Sequence, residues 1–140
     1  MYDQRSEDRQ REREALFTQL VEAFARGDHA ALEPGVRPDV ELTLGGTSWL
    51  AGTYRGYEEF QQYVAGAALV LSRAEGQLSY HHSEGQMVVI HDFLIGPSAV
   101  RMALHEVITF DDDGRVRSLE VRSCDQAKFD EAVDASLIDR

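Results

Sequence analysis

Four polar side chains interrupt the apolar segments in the second half of the chain: His91, Glu106, Ser123 and Asp125. An imidazole and a carboxyl group placed together can share acid/base catalysis, one donating a proton while the other accepts one. Burial among apolar neighbours favours the neutral form of a carboxyl group. If Glu106 faces a core, we therefore expect it to act as a proton donor, with His91 as its base or hydrogen-bonding partner.

The segments that carry these residues predict a meander of three long antiparallel strands. They are rich in Val, Ile, Leu and Phe, and turn signals separate them, the Gly-Pro pair at 96–97 and the DDDG run at 111–114. Because side chains alternate between the two faces of a strand, residues two apart share a face. We expect the face with His91 and Glu106 to line a pocket. The opposite phase would put His105 inside and Glu106 in solvent.

Asp125 follows the third strand and has two competing interpretations. It stands at the mouth of the predicted pocket, where it could serve as an alternative acid/base. It also belongs to the segment SCDQAKFDEA, which is a good start signal for a helix. In that case its carboxylate would cap the C-terminal helix.

The first half of the chain supplies helices that could close the pocket. Residues 5–14 (RSEDRQRERE) alternate in sign, which is typical of a solvated helical extension; a partner-binding arm is the alternative. An amphipathic helix follows from residue 15, a short helix after Asp28, a strand around residues 40–44 and another helix after Gly56. Helices beside a mostly antiparallel sheet make an α+β domain, and a sheet curved around helices leaves a cone with a hollow end. We expect residues 1–140 to form one such domain, with 1–14 as its charged extension.

Composition narrows the class of protein. The 140 residues suit one ordinary domain, and no apolar run approaches the roughly 20 residues of a membrane-spanning helix. A formal net charge of −11 argues against binding nucleic acid, which needs clustered Lys and Arg. One cysteine and a charged N-terminus fit a cytoplasmic location. The histidines lack i, i+4 spacing and Cys124 has outward parity, so we expect neither a metal nor another cofactor.

Four segments resemble the nuclear transport factor 2-like superfamily, which includes ketosteroid isomerases, limonene-type epoxide hydrolases and SnoaL-like polyketide cyclases. They are ARGD at 25–28, AGTYRGYEEF at 51–60, EGQMVVI at 84–90 and TFDDDGRVRSLEV at 109–121, and the resemblance runs from about residue 16 to 125. It implies a cone-shaped α+β barrel, a ligand pocket and a homodimer formed through the outer face of the sheet. Such folds host many unrelated functions, so the resemblance is weak for activity.

The ketosteroid isomerase pattern fits this chain poorly. The position of its oxyanion-hole tyrosine falls on Leu20 and that of its general base near Leu44, and only its second acid has a counterpart, Glu106. SnoaL-like cyclases are a closer match, since Asp125 stands where their acid/base would. The resemblance also implies which strand faces point inward and line the pocket together with His91 and Glu106: Met87, Val89, Phe93, Met102, Leu104, Val121 and Ser123.

Aromatic residues of the first half would complete the lining: Phe17, Trp49, Tyr54, Phe60 and Tyr63. Those on helices also suit a plain core, whereas Trp49 lies in a turn-rich connection that favours the pocket rim. We therefore expect a protein that binds a small, largely apolar, oxygenated metabolite and acts on it by cofactor-independent acid/base catalysis, as a cyclase, isomerase or dehydratase. The alternatives are a non-catalytic, homodimeric binding module and an interaction protein whose cone is filled by its own side chains.

Overall fold

The computed structural model describes residues 4–138, with the side chains at 24, 29, 71–77 and 138 left outside the description. Its helices are α1 (Gln4–Arg26), α2 (Gly56–Val70) and α3 (Gln126–Ile138), and a 3₁₀ helix (His29–Gly35) follows α1. The strands are β1 (Val36–Leu44), β2 (Gly52–Arg55), β3 (Leu71–Ser83), β4 (Gln86–Ile95), β5 (Val100–Phe110) and β6 (Val116–Ser123).

The six strands form one curved, unclosed sheet in the order β2-β1-β6-β5-β4-β3. Its pairs are antiparallel except for β1 and β6, which run parallel. The meander β3 to β6 therefore continues in chain order, and β1 joins it at the free edge of β6. This arrangement confirms the predicted α+β cone.

The amphipathic pattern of α1 explains how it closes the sheet. Its buried side chains recur at helical spacing, from Phe17 through Leu20 to Ala23, while its charged residues cover the outer side. Gly27 ends the helix in the left-handed region at a φ of 66°, where a glycine meets no steric penalty. The predicted short helix after Asp28 exists as the 3₁₀ helix, capped by that carboxylate, which accepts from the N–H of Ala31 at 3.3 Å.

The turn between β5 and β6 is organised by Asp111, whose carboxylate accepts the backbone N–H groups of Asp113 and Arg115 at 2.9 Å each. Burial alone would raise the pKa of Asp111. Together the two N–H donors and the guanidiniums of Arg115 and Arg37 outweigh burial and bring that pKa below its ordinary value. Local hydrogen bonding thus stabilises the acidic turn that the sequence predicts.

The concave face of the sheet carries the core. Burial alternates strictly along β4 and nearly so along β5, as expected of strands with one face on the core. Each large apolar side chain removed from water here is worth about 1.5–3 kcal/mol, so register slips that reverse the faces are strongly disfavoured. The residues turned inward along these two strands are Met87, Val89, His91, Phe93, Ile95, Met102, Leu104, Glu106, Ile108 and Phe110.

The charged extension is helical as predicted, since residues 5–14 lie within α1. It is not solvated throughout, because Arg13 is only 8% exposed and its guanidinium carbon lies 4.7 Å from the centre of the Phe110 ring. Within the described residues, no helix is both long and apolar enough to cross a membrane.

Candidate active site

The centre of the concave face holds a hydrogen-bonded pair, His91 on β4 and Glu106 on β5. In the β4–β5 register Glu106 faces Val89 and His91 faces Leu104, so the two polar side chains are diagonal neighbours on one face. Nε2 of His91 lies 2.5 Å from Oε2 of Glu106. The predicted inward phase of both residues is confirmed, and the alternative phase is excluded because His105 is exposed.

The two members of the pair differ in their access to solvent. The His91 side chain has no accessible surface, whereas that of Glu106 retains 8%. A water-sized molecule therefore reaches part of Glu106 while the imidazole is fully covered. A group that exchanges protons with a bound molecule must be reachable, and that requirement favours Glu106.

Two aromatic rings enclose the imidazole. The ring centres of Phe17 and Phe93 lie 5.5 and 4.1 Å from that of His91, both in edge-to-face arrangements. Nδ1 of His91 is buried, and none of the described residues is its hydrogen-bond partner. A buried N–H without an acceptor, and above all a buried imidazolium, is more costly here than an unpaired lone pair. We therefore assign the proton of the imidazole to Nε2, which donates to the Glu106 carboxylate, and leave Nδ1 unprotonated.

A buried phenol lies in the electrostatic neighbourhood of Glu106. Burial raises the pKa of Tyr63 strongly, and Glu106 and Tyr54 raise that pKa further. Tyr63 therefore remains a neutral hydroxyl at any pH at which the protein would work. Its neighbour Tyr54, with ring centres 5.2 Å apart, uses its own hydroxyl within the fold by donating to the carbonyl of Leu50 at 2.6 Å.

Most side chains predicted to line the pocket are brought together on the concave side. Those that are buried there are Phe17, Phe60, Tyr63, Met87, Val89, Phe93, Met102, Leu104 and Val121. Ser123 is partly exposed, and its hydroxyl is engaged in the local turn with the backbone N–H and carbonyl of Asp125. Their role toward a ligand stays a prediction.

Trp49 is half-buried and its polar groups contact α3; its place at a pocket rim stays a prediction. Its indole N–H donates to the carbonyl of Val133 at 3.0 Å and contacts the hydroxyl of Ser136 at 3.3 Å. Its backbone N–H donates to Asp134 at 2.9 Å. The polar edge of Trp49 thus attaches the β1–β2 connection to α3 and is occupied within the fold.

Asp125 adopts the capping role that the sequence left open. Its carboxylate accepts the backbone N–H of Lys128 at 3.2 Å at the start of α3, and the residue is exposed. It takes no part in the His91–Glu106 pair. Its role as an alternative acid/base stays a prediction.

The remaining histidines of β3 lie outside the pair. His81 is exposed and contacts the Ser79 hydroxyl, whereas Nε2 of His82 lies 2.6 Å from a carboxylate oxygen of Glu14 on α1. Among the described residues, no three His, Cys, Asp or Glu side chains converge as metal ligands would. Cys124 is exposed, as its parity predicts.

Several surface clefts lie apart from the pair. One of about 280 Å³ separates α3 from the β4–β5 connection, and clefts of about 360 and 400 Å³ flank the N-terminal part of α1. Another of about 340 Å³ adjoins the 3₁₀ helix. None of these clefts is lined by His91 or Glu106.

The architecture and the buried pair define a cone-shaped α+β protein with a hydrogen-bonded histidine and glutamate on its inner face. No model of a protein family and no curated protein sequence matches the chain. Solved structures do match. A nuclear transport factor 2-like protein of unknown function from Burkholderia pseudomallei superposes with a TM-score of 0.72 at 19% identity, over 87% of this chain and 97% of that one.

Two further neighbours have more specific descriptions. TerC, co-crystallised with polyporic acid, superposes with a TM-score of 0.72 at 18% identity, over 88% of this chain and 98% of that one. A steroid delta-isomerase from Pseudomonas aeruginosa superposes with a TM-score of 0.63 at 18% identity, covering 90% and 88% of the two chains. At these identities the likeness concerns the fold. The chain has the nuclear transport factor 2-like fold.

Proposed function

We propose that the protein binds a small, largely apolar molecule bearing a carbonyl group and moves a proton on it by acid/base catalysis, with Glu106 as the exchanging group and His91 as its partner. The observation that carries this proposal is the 2.5 Å contact between Nε2 of His91 and Oε2 of Glu106, made on a buried face. A carboxylate is costly in such a place unless it is hydrogen-bonded, and one N–H donor holds it ready as a base.

The arrangement refines the roles expected from the sequence. Glu106 is the member with accessible surface, and the imidazole N–H is directed to it. With the imidazole neutral, Glu106 begins as the carboxylate and therefore accepts a proton first, then acts as the acid when it returns it. His91 fixes the orientation of the carboxyl group through Oε2 and leaves Oε1 for the substrate.

The proposed step is the transfer of a proton next to a carbonyl. Glu106 removes a proton from the carbon beside the C=O group, the C–H electron pair forms a C=C bond, and the carbonyl becomes an enolate. Returning the proton to a different carbon isomerises the molecule. In the alternative, the enolate carbon attacks a second carbonyl and closes a ring, and Glu106 gives its proton to the alkoxide oxygen that forms there. The same parts therefore serve an isomerase or an aldol-type cyclase, in agreement with an isomerase among the structural neighbours.

The geometry favours an enzyme over a passive binding module. Two titratable groups within hydrogen-bond distance beside space for a substrate favour an enzyme, whereas scattered, individually satisfied groups favour a binding module. His91 and Glu106 meet the first half of this condition, and none of the described clefts adjoins them. The surrounding side chains are apolar, including Met87, Phe93 and Met102. These three side chains are at most 5% exposed, so a ligand would have to enter between them. Apolar surroundings of this kind suit a flat, poorly soluble molecule with few polar groups.

The experiment is hydrogen–deuterium exchange at the carbons beside the carbonyl in a panel of cyclic ketones, followed by NMR in D₂O. We expect the protein to accelerate exchange in at least one ketone, and Glu106→Gln to lower that acceleration by about 10²-fold or more, since one proton-transfer group typically contributes this much. His81→Gln is the matched control, because His81 is an exposed histidine of the neighbouring strand.

An equal exchange rate in Glu106→Gln and the unmodified protein would refute the catalytic role. Tight binding of a ketone without any exchange would favour the binding module instead.

We also propose that the convex face of the sheet joins two copies of the chain. Val88 and Val107 are cross-strand partners on that face and are only partly covered, and Ile90 lies beside them. Light scattering should give twice the mass of 15.7 kDa, and Val107→Glu should give the single-chain mass. A monomer in both cases would refute this interface.

A further inference from the structure

A second site candidate lies at the N-terminal end of the molecule, between α1 and the β3–β4 hairpin. The cleft there has a volume of about 360 Å³ and is lined by Ser6, Arg9, Gln10, Arg13, His82 and Glu84 among others. We call it the arginine cleft. It is separate from the proposed catalytic pair.

Arg13 is the unusual residue of this cleft. It is 8% exposed, and no hydrogen bond or ion pair of the described side chains uses its guanidinium; Nε is buried without a partner. Phe110 covers one side of the group, with the guanidinium carbon 4.7 Å from the ring centre. A ring face stabilises the positive charge but accepts none of the five N–H donors, which point outward in the guanidinium plane.

Among the described residues Arg13 forms no ion pair, although Glu12, Glu84 and the acids of the turn at 111–113 line the adjoining cleft of about 400 Å³ together with Arg9 and Arg13. Arg9 lies one turn before Arg13 on the same side, in the i, i+4 relation that is unfavourable for like charges. Burial lowers the pKa of Arg13, and the charge of Arg9 lowers it further. Arg11, by contrast, lies within 3.5 Å of Glu7 and within 3.9 Å of Asp8. The arginine that faces solvent is thus paired with acids, whereas the one that faces the cleft is not.

We propose that the arginine cleft binds a small molecule through a carboxylate or phosphate group held by Arg13 and Arg9. Both anions present two oxygens at a spacing that matches the fork of a guanidinium, and the resulting charge-assisted bonds are among the strongest in proteins. An anion between the two arginines would bind the terminal nitrogens of Arg13, since Nε is itself covered, and would remove the repulsion between like charges. Glu84 lines the same cleft and opposes the anion, so it limits the affinity.

The test is an isothermal titration of the full chain with inorganic phosphate and, in a separate series, with benzoate, at constant ionic strength set by sodium chloride. We expect saturable binding of at least one probe, about tenfold weaker in Arg13→Gln. Arg11→Gln is the matched control, because it removes the same charge from the same helix on its outer side; its affinity should be unchanged. Glu84→Gln should bind more tightly.

Selectivity between the probes assigns the ligand class: phosphate alone indicates a phosphate ester, and benzoate alone indicates a carboxylate. Because Arg13 packs on Phe110, its variant could lose structure, so Arg9→Gln, a change at an exposed residue, is tested beside it and should also weaken binding. Absence of saturable binding for both probes up to about 10 mM would overturn the proposal. Equal affinities in Arg9→Gln, Arg11→Gln and the unmodified protein would also overturn it.

Discussion

The assignment of a neutral imidazole donating to a carboxylate predicts an asymmetric double-mutant cycle. His91→Leu removes the N–H donor and leaves the carboxylate of Glu106, with 8% accessible surface, without its histidine partner. Leaving a buried charge unpaired in this way typically lowers the free energy of unfolding by about 3–5 kcal/mol. Glu106→Met leaves a neutral imidazole whose N–H has lost its acceptor, at about 1–3 kcal/mol. The double variant replaces the pair by apolar side chains and should cost about 1–3 kcal/mol for imperfect packing.

With central values of about 4, 2 and 2 kcal/mol, the two single changes sum to about 6 kcal/mol and exceed the double change by about 4 kcal/mol. Urea unfolding followed by the fluorescence of Trp49, the one tryptophan of the chain, gives each free energy of unfolding. His81→Leu at an exposed position should change it by less than about 0.5 kcal/mol. Additivity of the two changes within about 0.5 kcal/mol, or a larger loss in Glu106→Met than in His91→Leu, would refute the reasoning.

Three further predictions concern the frame around the pair. Trp49→Phe removes the indole N–H donated to the Val133 carbonyl and should lower the free energy of unfolding by about 1–2 kcal/mol, measured by circular dichroism in urea. Asp111→Asn should lower Tm by about 2–4 °C at pH 7. Because the folded-state pKa of Asp111 is depressed, the difference in Tm from the unmodified protein should persist above pH of about 5 and vanish as the pH falls through that pKa. A difference in Tm that stays constant down to pH of about 2 would contradict this. Gly96→Ala should cost about 2–4 kcal/mol, because φ is 75° and an added Cβ would meet the Ala132 carbonyl; a change below about 0.5 kcal/mol in the same assay would contradict this.

The inner face of the sheet could be predicted from the sequence because alternation in β4 and β5 is nearly unbroken. Once Val89 and Leu104 face the core, His91 and Glu106 must do so as well. Alternation fixes only the face, however. The contact between the two side chains depends on the register in which Glu106 faces Val89, and this follows from the length of the β4–β5 turn.

Contacts that depend on tertiary structure are not visible in local composition. The charged run that contains Arg13 predicts a solvated side chain, but Arg13 is buried. It lies four residues before the buried Phe17, on the same side of α1. That spacing was the signal that could have revealed its burial. The bonds between Trp49 and α3 span more than 80 positions of sequence, which no local pattern can show.

The measurement that tests the central claim most directly is a ¹⁵N NMR spectrum of the histidine ring nitrogens at pH 7, with the His91 signals identified by their loss in His91→Leu. The account predicts that Nε2 of His91 carries the proton, hydrogen-bonded to Glu106, and that Nδ1 has the shift of an unprotonated nitrogen. A proton on Nδ1 with Nε2 unprotonated would contradict it, because Glu106 would then begin as the proton donor and could not act first as the base.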